Sequence, residues 1–181
     1  MLKPNDMWTW YYDDGEGYLM LDLGQDMVFK TNLSQKLIVE CAQGVNEFSV
    51  DDASAFQTYK EQVGLLALSQ PRQAELLLYC VAAKRFHKPV QPKSWFFDRR
   101  SDGSYVPQEG DLVSLANGYG ENQCIVLEVG DNASLCASIS LDEFPLNGSK
   151  TLKFGEAIKV MHDRMVCINH EFLVQPIAMV G

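Results

Sequence analysis

The chain has 181 residues and a mass of 20.3 kDa, and it is 46% hydrophobic and 22% charged, as ordinary globular proteins are and disordered ones are not. A chain this long buries roughly 70% of its unfolded surface, enough for a core without disulfides or metal, so collagen, coiled-coil rods, solenoids and disulfide knots are excluded. The net charge of −9 argues against general nucleic-acid binding, where cations must displace counterions.

The first third predicts an antiparallel three-stranded meander. Trp8 to Tyr12 is aromatic and β-prone, Asp13 to Gly17 is a turn cluster, and Leu19, Leu21 and Leu23 share one face of the next strand. Gly24-Gln-Asp26 turns the chain into a third strand, Met27 to Thr31. Two helices follow. Asp51 and Asp52 precede Phe56, Tyr59 and Val63 at helical spacing, and Ser69 caps a second helix with Pro71 in its first turn. Ala74, Leu77, Leu78, Val81 and Ala82 form one apolar face, and that helix must end before Pro89.

Pro89-Val-Gln-Pro92 reads as a stiff linker and sets a domain boundary, giving domains 1–92 and 93–181. Beyond it, Ser94–Asp98, Leu112–Ala116, Gln123–Val129 and Leu135–Leu141 are predicted strands. Short turns at Gly110-Asp111, Asn117-Gly118, Gly130 to Asn132 and Asn147-Gly148 separate the later ones. That spacing suggests a small barrel or sandwich. The stretch Gly155–Met165 fits either a helical turn or a strand. The fold class is α+β: an N-terminal α/β domain of antiparallel strands with two helices, then a C-terminal β domain.

Signs of catalysis are sparse. The five cysteines are widely and irregularly spaced, four of them among apolar neighbours, and read as small buried hydrophobes. His87, His162 and His170 have no metal-ligand spacing, so no metal is expected. Gly15-Glu-Gly17 is acidic, and Asn117-Gly-Tyr-Gly120 lacks a following helix, so neither is a phosphate loop and no cofactor is expected. Asp13/Asp14 and Asp51/Asp52 read as a turn and a helix cap. No apolar run approaches the ~20 residues of a spanning helix, and no export signal precedes the fold, so a cytoplasmic protein without membrane insertion is expected.

One stretch stands out. Lys84, Arg85, Lys88, Lys93, Arg99 and Arg100 place six of the fifteen cationic residues in seventeen positions, with His87, Phe86, Trp95, Phe96 and Phe97 among them; only Asp98 opposes them locally. Arginine and aromatic anchors with steering lysines suit an acidic protein partner. Trp95 and Phe97 serve equally well as core residues of a strand. Basic and aromatic residues interleaved also fit single-stranded nucleic acid, which is the alternative reading.

The residues further resemble the ZapC family of Z-ring-associated cell-division proteins of gammaproteobacteria. The likeness lies in Trp8-Thr-Trp10-Tyr-Tyr-Asp13, Met20-Leu-Asp-Leu23, Phe48-Ser-Val-Asp-Asp-Ala53, Gln73-Ala-Glu-Leu76, Lys88-Pro89 and Pro92-Lys-Ser-Trp95. It continues through Val106-Pro107, Gly110-Asp111, Asn132-Ala133, Leu135-Cys136, Ala157-Ile-Lys159 and Asp163-Arg164. The resemblance implies an α/β domain followed by a twisted β-barrel-like domain. It implies a non-enzymatic protein that binds FtsZ at the midcell ring, bundles its filaments laterally and restrains its GTP turnover. It carries FtsZ binding onto Leu21, Lys88 and Lys93; local chemistry adds Arg85 and Trp95. Leu21 serves equally as core, being at a strand centre. Bundling needs two attachment points, on one chain or on a dimer, so oligomeric state stays open.

Overall fold

The computed structural model describes residues 2–169. The meander forms as expected: β1 (Thr9–Asp13), β2 (Tyr18–Gly24) and β3 (Met27–Ser34) pair antiparallel, and a short β4 (Asn46–Glu47) joins the other edge of β1, giving the order β3-β2-β1-β4. Gln25 and Asp26 both take positive φ in the two-residue β2–β3 turn, the backbone that matches strand twist in a tight hairpin. Trp10, Leu19 and Leu21 are fully buried on the same face of this sheet.

Helix α1 (Val50–Val63) begins at Ser49, whose hydroxyl accepts from the Asp52 N–H while the Asp52 carboxylate accepts from the Ser49 N–H. Helix α2 (Gln70–Phe86) begins at Ser69, whose hydroxyl accepts from the Arg72 N–H. Its buried residues exceed the expected stripe: Leu76, Leu77, Leu78, Cys80, Val81, Ala82, Ala83 and Phe86 lie inside on almost every side. The reason is its place in the fold. Helix α2 touches β3 on one side and the second sheet on the other.

That second sheet comprises β5 (Leu112–Asn117), β6 (Gly120–Val129), β7 (Ala133–Ser138), β10 (Ala157–Met161) and β11 (Val166–Cys167), in the order β10-β7-β6-β5-β11. A separate hairpin pairs β8 (Phe144–Pro145) with β9 (Thr151–Leu152). Flat, five strands would set β10 and β11 about 19 Å apart. Residues 162–165, mostly one 3-10 turn, reach only about 13 Å. The sheet is therefore strongly curled, although its two edges do not hydrogen-bond to each other.

One apolar core runs from Trp10, Leu19 and Leu21 through Phe56, Tyr59, Leu76 and Leu77 to Leu112, Ile125, Leu127 and Leu135. The halves on either side of residues 89–92 thus share their main core. The Tyr59 hydroxyl donates to the Leu127 carbonyl at 2.8 Å, and the Asn32 side-chain amide donates to the Gly155 carbonyl at 2.9 Å. A second core lies on the other face of the five-stranded sheet. Val113, Cys124, Val126 and Val160 pack there under Phe96, Phe97, Phe144 and Leu152.

Three expectations change. Ser94–Asp98 is not a strand: Ser94–Phe96 is a 3-10 turn. The turn lets adjacent Phe96 and Phe97 both face the second core, which strand alternation forbids. The strand expected at Leu135–Leu141 stops at Ser138, and Leu141 is exposed. Its alternation has one buried face in the sequence but two in the structure, since Leu135 and Ala137 enter the first core and Cys136 the second. Gly155–Met165 resolves into β10 and the 3-10 turn His162–Arg164.

Gly155 holds a close approach between the halves. Its φ is +74°, and a Cβ there would lie 2.2 Å from Cδ2 of Tyr79 on α2. Gly155→Ala is expected to cost about 2–4 kcal/mol, combining backbone strain with displacement of the ring, and to lower Tm by roughly 5–15 °C. A thermal melt unchanged from wild type would contradict this packing.

Candidate partner-binding site at the linker

The linker leaves α2 at a fixed place. The Asp52 Oδ2 atom accepts from the Ser49 N–H at 2.9 Å, the Trp10 Nε1–H at 3.0 Å and the Arg85 Nη1–H at 2.5 Å. Asp52 is buried, and Arg85 Nη1 also donates to the Glu47 carbonyl. Trp10 stacks on Phe48 and meets Phe86 edge-on. The last turn of α2 is thereby tied to β1, β4 and the start of α1. Beyond it, Val39 N–H donates to the Phe86 carbonyl, and Lys88 N–H donates to the Leu37 carbonyl. At the far end, Lys93 N–H donates to the Lys159 carbonyl, and Ser94 Oγ accepts from the Met161 N–H. Residues 89–92 thus bridge two anchored ends.

This geometry sorts the six cations of the 84–100 stretch. Lys84 pairs with Glu109, Arg85 with Asp52, Arg99 with Asp163 and Arg100 with Glu121. Each of those carboxylates lies more than twenty residues from its partner in sequence. Lys88 and Lys93 are exposed, and among the described residues neither has a carboxylate partner. Chain length alone keeps their Cα atoms within about 18 Å. They line neighbouring cavities on either side of the linker, with His87, Val90 and Lys159 common to both.

The other candidates divide. Trp95 stands 70% exposed beside Lys93, while Phe96 and Phe97 turn inward. Leu21 is fully buried at a strand centre, so no partner touches it in this fold. Arg85 is engaged through Nη1 with Asp52 and the Glu47 carbonyl, and these contacts hold α2 in place. Lys36, Lys150 and Lys159, which no local pattern singled out, gather around the Lys93 side of the linker. Lys36 lies more than a hundred residues from Lys150 and Lys159, and no sequence signal joins them.

Of the three histidines, His170 lies outside the described residues. Burial raises the thiols of Cys80, Cys124 and Cys136, that of Cys124 to about 12, which leaves them protonated and unreactive. Among the described residues no group of three or more His, Cys, Asp or Glu could hold a metal ion, and no helix is long and apolar enough to cross a membrane. His162 is buried, with Nε2 2.8 Å from Ser134 Oγ; burial lowers its pKa below 6.5, against the opposing pull of Asp163.

Two sequence models of one family cover nearly the whole chain: "Cell-division protein ZapC, N-terminal" over residues 1–88 and "Cell-division protein ZapC, C-terminal" over residues 89–171. The chain belongs to the ZapC family of cell-division proteins. Relatives named cell division protein ZapC include that of Vibrio cholerae, 62% identical over 181 residues and all of both chains. That of Vibrio vulnificus is 60% identical over 182 residues, again all of both. A more distant relative from Musicola paradisiaca is 42% identical over 166 residues, covering 91% of this chain and 88% of its own. The two ZapC models meet between Lys88 and Pro89, at the entry to the linker.

Removing one partner of the buried pair should unfold more than it unbinds. Asp52→Ala is expected to destabilise by about 2–4 kcal/mol, because it strands Arg85 and removes a cap. Lys88→Ala and Lys93→Ala should each stay within about 0.5 kcal/mol of wild type. Urea melts compare them; equal losses would contradict the division into holding and presenting cations.

His162 gives a pH dependence of known sign. The fold keeps the imidazole neutral, so the unfolded chain binds more protons below about pH 6.5, and stability is present above that value and lost below it. Between about pH 7.5 and pH 5.5, wild type should lose more Tm than His162→Gln. Equal losses would remove His162 from the acid response.

Proposed function

We propose that the protein binds FtsZ polymer directly, bundles its filaments laterally at the midcell ring and restrains GTP turnover by favouring the polymer, without catalysing a reaction itself. Membership of a family of cell-division proteins supports the process, and the resemblance of Lys88-Pro89 and Pro92-Lys-Ser-Trp95 to that family supports the partner. The observation that carries the site is the pair of exposed lysines left without carboxylate partners, among the described residues, on a linker anchored at both ends.

The physical reading is simple. A chain of net charge −9 repels an acidic polymer at long range. Lys88 and Lys93 provide a local exception, and the exposed Trp95, two residues beyond Lys93, offers an apolar anchor whose desolvation contributes affinity. Leu21 and Arg85 support the interface by holding the sheet and helix from which the linker springs. The contact forms in the cytoplasm and needs no cofactor.

Lys88→Glu and Lys93→Glu should each abolish co-sedimentation with FtsZ polymer while leaving the far-UV spectrum native. Added salt should weaken wild-type pelleting, since screening acts over about 8 Å at physiological ionic strength. Native-like variants that still pellet would remove these lysines from the site. Micromolar affinity for a single-stranded oligonucleotide, with none for FtsZ, would favour the nucleic-acid alternative.

A further inference from the structure

On the Lys93 side of the linker lies a cavity of about 440 Å³, within the range that small-molecule sites occupy. Four lysines line it: Lys36 in a 3-10 turn after β3, Lys93 at the linker end, Lys150 in the β8–β9 turn and Lys159 on β10. None of the four has a carboxylate partner among the described residues. Glu156 is the one carboxylate in the lining. The chain has 24 acidic residues against 15 basic ones, so this local excess of about three positive charges reverses the charge of the whole.

Leu37, Phe96 and Ile158 give the same cavity apolar walls. Its ligand therefore needs both an apolar body and several negative charges. A fatty acid brings only one charge. A nucleoside di- or triphosphate brings about three to four and a flat base, with lysines able to act as point charges toward phosphate. We propose that this cavity binds a nucleoside polyphosphate, the phosphates among Lys36, Lys93, Lys150 and Lys159 and the base against the apolar wall. The proposal stands on the cavity alone and does not depend on the filament reading.

Glu156 gives the site a signature of opposite sign. Its half-buried carboxyl is raised in pKa by burial, while Lys153 pulls it down. As the single carboxylate of the lining, it opposes an anionic ligand. Neutralising it should tighten binding, which loss of structure could not do.

Isothermal titration of the full chain with ATP, GTP and inorganic tripolyphosphate at low salt tests this. Saturable binding of both nucleotides is expected, with tripolyphosphate weaker because it lacks the base. Lys150→Glu, on an exposed turn, should weaken ATP about tenfold or more, and Glu156→Gln should tighten it about threefold, as charge changes beside a polyanion do. Three results would overturn the proposal: no saturable binding of either nucleotide at millimolar concentration, ATP affinity indifferent to both Lys150→Glu and Glu156→Gln, or tripolyphosphate binding as tightly as ATP.

Discussion

The Asp52 carboxylate is the point on which the N-terminal half and the exit of the linker both depend. One of its oxygens takes hydrogen bonds from the start of α1, from the indole of β1 and from Arg85 near the end of α2. A charge this deep is expensive to desolvate and persists because three donors converge on it, one of them a cation. The consequence is positional. Helix α2 cannot shift along the sheet without breaking the pair, so the residues after Phe86 leave the fold at one place.

That place matters because α2 is shared property. The four-stranded sheet covers one side of it and the curled five-stranded sheet the other, and a single apolar core passes through all three layers. Two halves that share a core move as one body more readily than two beads on a tether. The linker is then a strap with fixed ends, and lysines on it hold their places relative to Trp95 and to the cavity beside Lys93. For a partner of ordered, repeating geometry, such as a filament, a presented charge is useful when its position is constant, because less ordering entropy is lost on binding.

The distribution of ion pairs separates two uses of positive charge. Lys84, Arg85, Arg99 and Arg100 neutralise carboxylates of their own chain and fasten segments together. Lys88 and Lys93 have no such duty among the described residues. Three of the four paired cations are arginines, whereas the two unengaged cations are lysines, whose compact, strongly hydrated charge suits long-range steering.

Local chemistry in the sequence determined the meander, both helices, the second with its Ser69 cap and Pro89 stop, the three longest strands of the β half, and family membership through ordered matches along the chain. These follow from periodicity, turn residues and capping, which act over a few positions and are visible in any short window. The basic-aromatic stretch was legible in the same way, but only as a run of six cations. Tertiary structure decided which cations are free, because their neutralising partners at 52, 109, 121 and 163 arrive by folding rather than by sequence neighbourhood. It also decided that Trp95 points out while Phe96 and Phe97 point in, that α2 beyond its first turn is buried on almost every side, and that lysines 36, 93, 150 and 159 meet around one cavity. Coulomb forces and burial depend on distance in space, and a linear pattern carries no record of which distant segments become neighbours.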